Sequence, residues 1–134
     1  MADKLVLDIV TPHRSVLSEE VDIVVAPGAL GEFGVLIHHI PFLAQLKIGE
    51  LRYRQGNSLT KVAVMGGYAE VLPDKVTVLA PAAEKAVEID VVRAKAAKER
   101  AERRLQEKKE DIDFARAHAA LIRAILRLKL VEVK

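Results

Sequence analysis

Six arginines near the carboxyl end of the chain recur with one spacing in two separate stretches. In each stretch the intervals are seven and then four residues, which places the three arginines on one face of a helix. A guanidinium group carries a planar fork of donors that binds phosphate or carboxylate through two hydrogen bonds. The chemistry that this pattern favours is the binding of an anion. The two trios are Arg93, Arg100 and Arg104, and then Arg116, Arg123 and Arg127.

The alternative interpretation of each trio is a solvated helix face with ion pairs between successive turns. The first stretch allows it, because Lys95 and Glu99, like Lys98 and Glu102, stand four residues apart. The second stretch does not, because residues 114–131 contain no acidic residue. An anionic partner is therefore the favoured interpretation for the second stretch.

A short polar motif, Ile-Asp-Val-Val-Arg-Ala at residues 89–94, stands where the chain changes composition. All seven glycines and all five prolines precede Ala82. Asp90 is a good N-cap for a helix that begins at Val91, since its carboxylate can accept a backbone N–H. A ligand role is compatible with that cap, because a capped helix start with Arg93 in its first turn attracts phosphate. Both roles of Asp90 remain open at this point.

The composition argues against several classes of site. The chain has no cysteine, which removes disulfides and thiol chemistry, and its 4% of aromatic residues are too few for a base-stacking platform. The pair His38-His39 lies near Glu32 but lacks a sensibly spaced third ligand, so no metal site is expected. No phosphate-loop motif and no local signature of a catalytic triad or paired carboxylates is present. We expect a chain without catalytic residues, not an enzyme.

The net charge of +2 is unevenly distributed. Residues 1–86 carry eight basic and ten acidic side chains, whereas residues 87–134 carry thirteen and nine. The helical part is therefore the basic part, although its excess is too modest to predict nucleic-acid binding. No apolar stretch approaches the roughly 20 residues that span a bilayer, and the amino end resembles a strand, not a signal peptide. A cytosolic location, or one beside a membrane through a partner, is the expectation.

Short apolar runs separated by turn residues predict an antiparallel sandwich or barrel in the first part of the chain. Gly49-Glu50, Gly56-Asn57, Gly66-Gly67 and Pro73-Asp74 are interpreted as separators. Residues 33–42 are predicted to be a loop whose apolar side chains mark a protein interface if they are exposed. The predicted strands cover residues 4–10, 21–26, 42–48, 51–54, 60–65, 68–72 and 75–80.

Strong helix formers predict one helix over residues 91–107 and a second to about residue 130, capped by Asp111 or Asp113. The two helices are expected to pack as an antiparallel hairpin through a seam rich in alanine. At about 25 cal/mol per Å² of apolar surface such a seam is weak, so the hairpin is expected to open. The predicted fold is a mainly β N-terminal sandwich or barrel, residues 1–86, plus an all-α C-terminal antiparallel helical hairpin, residues 87–134.

Several segments, taken in order, resemble the epsilon subunit of F-type ATP synthase. They include Gly31-Glu-Phe-Gly-Val-Leu, Met65-Gly-Gly-Tyr-Ala-Glu-Val, Pro73-Asp-Lys-Val-Thr-Val-Leu-Ala and the motif at 89–94. The resemblance covers essentially the whole chain. It implies a β-sandwich, a two-helix carboxyl domain and a non-catalytic place in the central stalk, bound to the gamma subunit and the c-subunit ring. It also implies coupling of the catalytic head to proton flow, and inhibition of ATP hydrolysis.

The resemblance also implies a site for ATP as a regulatory ligand, with or without magnesium. The family motif falls on Ile89, Asp90, Arg93 and Ala94, and Glu84 matches a position near the adenine. Residues 32–39 match the loop that rests on the ring, although Ile37-His38-His39 replaces the usual Pro-Gly-His. The arginines that match the family's phosphate-gathering positions are Arg100, Arg123 and Arg127.

A mechanism follows as a hypothesis. With ATP bound, the arginines of both helices face one polyphosphate and the hairpin is compact. Without ATP the arginines repel, the hairpin extends, and its basic second helix meets an acidic surface of a catalytic beta subunit beneath the alpha and beta head. The alternative is a purely structural stalk subunit without ATP sensing. In either case the chain is expected on the cytoplasmic side of the membrane, held there only through the complex.

Overall fold

Alternating apolar residues build the sheet of the first unit. In the computed structural model, which describes residues 4–107 and 113–132, the chain divides into two compact units between Lys85 and Ala86. Leu5, Leu7 and Ile9 are buried while the residues between them are half-buried, as expected of a strand with one face on a core. The strands are β1 (Leu5–Val10), β2 (Ser15–Val21), β3 (Ile23–Gly28), β4 (Gly31–Val35), β5 (Phe42–Gln55), β6 (Ser58–Leu72), β7 (Lys75–Leu79) and β8 (Ala83–Lys85).

The strands form one folded sheet with the order β2-β1-β7-β6-β5-β3-β4, and β8 lies beside β6. All pairings are antiparallel except that of β1 with β7. One cluster of buried aliphatic residues, with Tyr53, fills the space between the layers. The predicted β-sandwich is confirmed.

The long β5–β6 hairpin replaces four predicted strands with two. The predicted strands are 42–48, 51–54, 60–65 and 68–72. Residues 42–55 and 58–72 are two continuous strands in constant register, with Leu46 opposite Gly67 and Ile48 opposite Met65. Gly66-Gly67 was predicted to be a turn or bulge and is neither. Residues 62–64 of β6 pair with β8, whereas residues 68–72 pair with β7. The hairpin therefore passes from one layer to the other, and the glycines allow its bend.

Close packing explains why glycine is required at that bend. Gly66 and Gly67 have φ values of +87° and +107°. A Cβ on Gly67 would overlap the carbonyl oxygen of Leu79 and would lie 2.9 Å from the Cα of Ala80. Gly49 likewise lies within a strand, β5, and not in a turn. A Cβ there would lie 2.7 Å from the Cβ of Pro27, so close packing favours glycine at this position too.

Three strands were not predicted, each for a local reason. The second strand contains Ser18, Glu19 and Glu20, which interrupt its apolar pattern. The fourth contains two glycines, and the eighth has only three residues. Their pairing with neighbouring strands, and not their own propensity, makes them strands.

The second unit consists of a 3-10 turn (Ala86–Glu88) and two helices, α1 (Val91–Glu107) and α2 (Phe114–Glu132). The Asp90 Oδ1 accepts the N–H of Arg93 at 3.0 Å, and the Asp113 Oδ1 accepts the N–H of Arg116 at 3.1 Å. Both aspartates are N-caps. Asp111, the other predicted cap of α2, lies outside the described residues. The helices pack on each other, and their short connection makes them antiparallel. The predicted hairpin is confirmed.

No helix in the described ranges, 4–107 and 113–132, is long and apolar enough to span a bilayer.

A half-buried carboxylate links β1 to its neighbours. Asp8 forms a 3.0 Å ion pair with the Nζ of Lys75. Hydrogen bonds from Ser18 and then Lys75 hold the pKa of the Asp8 carboxyl below its ordinary value. The stability that this group contributes is therefore present above its unfolded-state pKa and is lost as the pH falls through its folded-state pKa.

We predict that Asp8→Asn lowers the free energy of unfolding at pH 7 and that the loss is smaller at pH 3, because the wild type loses this charge as the pH falls through the lowered pKa of Asp8. Urea unfolding at the two pH values measures this. Asp74→Asn is the control, since Asp74 is exposed in a turn and makes no ion pair within the described part of the chain. An equal loss for Asp8→Asn at both pH values would contradict the assignment.

We predict that Gly67→Ala destabilises the chain by about 3 kcal/mol, because a Cβ there meets the β7 backbone at a positive φ. Gly34→Ala is the matched control. Gly34 also lies in a strand, but a Cβ there would be 4.0 Å from the nearest neighbouring atom, the Val24 oxygen. Its effect should stay within about 1 kcal/mol. Chemical denaturation measures both, and equal losses would rule out close approach as the reason for Gly67.

Candidate functional site

An arginine immediately precedes each of the four buried alanines of the hairpin. Those alanines, at 94, 101, 117 and 124, are at most 4% exposed. They repeat at seven-residue intervals on both helices and form the seam through which α1 and α2 pack. The preceding arginines are displaced from the seam by the same rotation on each helix. These pairs are Arg93-Ala94, Arg100-Ala101, Arg116-Ala117 and Arg123-Ala124.

Helical geometry then places these arginines on one side of the hairpin. Two antiparallel helices are related by a two-fold axis perpendicular to the plane that contains them. Rotation about that axis does not exchange the two sides of the plane. Residues that have the same angular offset from the seam therefore lie on the same side of the hairpin on both helices. Arg104 and Arg127, one turn beyond Arg100 and Arg123, extend the two rows. We call this surface the arginine face; it comprises Arg93, Arg100, Arg104, Arg116, Arg123 and Arg127.

The rows are also matched in height at both ends. The helices run in opposite directions away from Glu107 and Phe114. Since each residue advances the helix by 1.5 Å, Arg93 near the start of α1 is level with Arg127 near the end of α2. By the same count Arg104 is level with Arg116, whereas the levels of Arg100 and Arg123 differ by about 4.5 Å. Arg123 and Arg127 are half-buried, and the other four are exposed.

Acidic side chains of the two helices offer the arginine face little neutralisation, although Arg127 has an interaction of its own within the chain. Neither Lys95–Glu99 nor Lys98–Glu102 forms an ion pair within the described residues. Between Phe114 and Val131, α2 carries no acidic side chain. The chemistry available to this face is the binding of an elongated anion along the hairpin.

The other predicted site residues have more local roles. Ile89 and Ala94 are buried, and the Asp90 carboxylate caps α1. Glu84 is half-buried in β8, within the first unit, whereas the other seven predicted residues belong to the second. The hairpin thus brings together Arg93, Arg100, Arg123 and Arg127.

A second candidate surface was missed in the sequence. On the outer side of β5, β6 and β7, Leu43, Tyr68 and Leu79 are 70%, 53% and 55% exposed. Tyr68 lies directly opposite Leu79, which lies beside Val10 of β1. We call Val10, Leu43, Tyr68 and Leu79 the outer patch. Its signal was present, since these apolar residues alternate with buried ones, but only the sheet order unites them.

The apolar stretch at 33–42 was predicted to be a loop and is only partly one. Residues 33–35 belong to β4, Val35 is buried, and the rings of Phe33 and Phe42 meet edge to face at 5.1 Å. Leu36 and Ile40 of the β4–β5 connection remain exposed. His38 and His39 lie in this connection, within the part of 33–42 that is a loop as predicted.

A groove of about 540 Å³ lies beside the β3–β4 turn. It is lined by residues 28–33 and 42–45, and Leu30 at the turn is fully exposed. Arg52 forms a 2.8 Å ion pair with Glu32 there, and this hydrogen bond lowers the pKa of the Glu32 carboxyl. Within residues 4–107 and 113–132, no three histidine or acidic side chains cluster as metal ligands would.

Comparison with known proteins gives a consistent result for both units. Residues 4–86 match the model of the beta-sandwich domain of the ATP synthase delta/epsilon chain, and residues 88–132 match its long alpha-helix domain. An ATP synthase epsilon chain of Syntrophobacter fumaroxidans is 70% identical over 132 residues, covering 98% of both chains. One from Desulforamulus reducens is 54% identical over 98% of this chain and 100% of its own.

Two solved structures share the fold. A chain of the Euglena gracilis mitochondrial ATP synthase, solved as an OSCP/F1/c-ring assembly, superposes with a TM-score of 0.70 at 24% identity, covering 98% of this chain and 79% of that one. A chain from the central stalk and c-ring of the Tetrahymena thermophila enzyme gives 0.61 at 16% identity, covering 96% of each. Together with matches to both family domains and to full-length relatives, these likenesses lead to one assignment: the chain belongs to the ATP synthase delta/epsilon family.

Proposed function

We propose that this chain is a non-catalytic central-stalk subunit of a proton-translocating ATP synthase and that its hairpin inhibits ATP hydrolysis when ATP is scarce. The arginine face is the observation that carries the regulatory part. Its cations lie in two rows on one side of the hairpin. A subunit that only filled space would not need such a row.

ATP is the anion that we assign to this face. Arg93 and Arg127 form one level, and Arg123 and Arg100 follow about 6 and 10.5 Å farther along the hairpin, so a linear polyphosphate running along the hairpin meets four guanidinium groups. Arginine is suited to this role because its fork bonds phosphate oxygens bidentately. The capped N-terminus of α1 adds positive potential beside Arg93. Ile89, Asp90 and Ala94 complete the proposed site within the second unit.

The switch follows from the opposition of two forces within the hairpin. The alanine seam buries little apolar area per residue, while the arginines on its flank repel one another. Bound polyphosphate turns that repulsion into attraction and favours the compact hairpin. ATP shifts the population only by the difference between its affinities for the two states. When the ligand leaves, the basic stretch 114–131 of α2 is available to an acidic surface of a catalytic beta subunit.

The first unit supplies the proposed contacts with the stalk and the membrane ring. The outer patch is a contiguous apolar surface on rigid strands, as protein interfaces require, and we assign it to the gamma subunit. The segment 32–39, at the other side of β5, is assigned to the c-ring. These contacts place the chain at the cytoplasmic side of the membrane as a peripheral subunit, held there through the complex.

We predict that the intact chain binds ATP and that Arg123→Ala with Arg127→Ala weakens binding by at least about tenfold, because two charge-assisted contacts are lost. Isothermal titration calorimetry, with and without magnesium, measures this. Arg103→Ala is the matched control, since Arg103 is an exposed arginine of α1 that lies off the arginine face.

No binding of millimolar ATP to the wild-type chain would refute the sensor. Equal losses for the double variant and for Arg103→Ala would show that ATP responds to net charge and not to the arginine face.

The structural alternative makes a different prediction for a chain truncated after Ala86. The sandwich core lies entirely within residues 5–83, so this fragment retains it. A regulatory hairpin predicts normal assembly with faster ATP hydrolysis by the complex, whereas a purely structural subunit predicts lost assembly. Reconstitution followed by a hydrolysis assay separates the two, and full-length chain is the control.

A further inference from the structure

The hairpin has a second exposed side, across the seam from the arginine face. The residue that precedes each seam alanine lies on the arginine face, and the residue that follows each seam alanine is exposed on the other side. With 3.6 residues per turn, these two sets lie about 100° from the seam in opposite directions. We call this second side the opposite face. Its first members are Lys95, Glu102, His118 and Ile125.

The helix α2 contributes an apolar stripe to the opposite face. Phe114, Ile122 and Ile125 are 48%, 38% and 45% exposed. They follow one another at helical spacing, with His118 between the first two and Lys129 one turn beyond the last. Single exposed apolar residues need no explanation, but apolar residues aligned along one side of a helix mark a contact surface.

The helix α1 contributes charges in a self-complementary order. Two cations, Lys95 and Lys98, precede two anions, Glu99 and Glu102. Within residues 4–107 and 113–132 none of the four forms an ion pair. Beside an identical helix that runs in the opposite direction, Lys95 comes opposite Glu102 and Lys98 comes opposite Glu99. Each contact then occurs twice, as it does in an interface with two-fold symmetry.

Both helices of the opposite face have the same centre. The four charges of α1 are centred between Lys98 and Glu99, and the stripe of α2 is centred just before Ile122. At 1.5 Å per residue, both centres lie about 8 Å from the level shared by Arg93 and Arg127. One two-fold axis at this height therefore pairs the charges of α1 and the apolar residues of α2 at the same time.

The opposite face is large enough for a weak interface. The helices have 17 and 19 residues and are each about 10 Å wide, which gives a face of about 500 Å² on one copy. Two such faces bury about 1,000 Å² in all, the lower limit for a specific interface. This area fits a dimer that dissociates at micromolar concentrations and not an obligate one.

We propose that the opposite face is a self-association surface, through which the free chain forms a two-fold dimer with a second copy of itself. Each helix lies antiparallel to its counterpart. Ile122 packs beside the axis, the Phe114 ring packs on the aliphatic stem of Lys129, and Lys95 pairs with Glu102 at the rim. The arginine face stays uncovered in this dimer, so association requires no nucleotide. The inference goes beyond the function proposed above and does not depend on it.

Sedimentation equilibrium of the intact chain, without nucleotide, tests the apolar stripe. The average mass of the wild type should rise from that of a monomer toward that of a dimer between micromolar and millimolar concentrations. Ile122→Lys places two cations beside the axis and should weaken association by at least about tenfold. Ile40→Lys is the matched control, because Ile40 is an exposed isoleucine outside the hairpin, and it should associate as the wild type does.

Charge reversal tests the antiparallel arrangement of α1. Lys95→Glu and Glu102→Lys each set like charges opposite each other twice, so each variant alone should associate about fivefold more weakly. An equimolar mixture of the two restores both pairs and should form mixed dimers about as strong as those of the wild type. Arg103→Glu is the control for net charge, because Arg103 lies on neither face, and it should leave association unchanged.

Three results would overturn the proposal. The wild type stays monomeric up to millimolar concentration, or Ile122→Lys and Ile40→Lys associate equally well, or the two charge variants gain nothing from being mixed. Circular dichroism of each variant shows whether its helices are retained. ATP binding by a chain that stays monomeric would leave the proposed function intact, so the two ideas fail separately.

Discussion

The sandwich depends on the absence of one side chain. Where β6 crosses from one layer to the other, the backbone of β7 lies so near that a Cβ on Gly67 would overlap the Leu79 carbonyl oxygen. The continuous β5–β6 hairpin passes through this point and pairs with β3, β7 and β8. Both layers of the core are therefore set by one strand bend. The outer patch depends on it as well, since Tyr68 and Leu79 are brought opposite each other immediately beyond the glycines.

The two units are held together by different forces. The first has a buried aliphatic core in which many side chains are fully inaccessible, and dense packing of this kind is rigid. The hairpin buries chiefly alanines, which contribute little apolar area, and carries a row of like charges along its seam. We propose that this pair of helices is a two-state element that a modest ligand affinity biases, and that the first unit is the firm platform for assembly.

The two exposed sides of the hairpin suit different partners. The arginines carry like charges along one side of the hairpin, and we propose that a small anionic ligand relieves their repulsion. The opposite face combines an apolar stripe with charges in a self-complementary order, and we assign it to a second copy of the chain. Both faces are set by the seam, because their residues stand one position before or after the buried alanines.

The sequence by itself determined the helix limits, the cap at Asp90 and the arginine spacing. These follow from local chemistry: glycine and proline content, helix propensity, capping and a fixed helical repeat. The alternation that defines β1 was equally local. Only the tertiary structure decided that residues 42–55 and 58–72 are single strands. In the sequence, a glycine at a strand bend cannot be distinguished from a glycine in a turn, and the difference depends on the backbone of β7 beside Gly67. It also made strands of residues 15–21 and 31–35 through pairing, and it assembled the outer patch from strands distant in sequence. Those outcomes depend on contacts between distant residues, which local propensity does not contain.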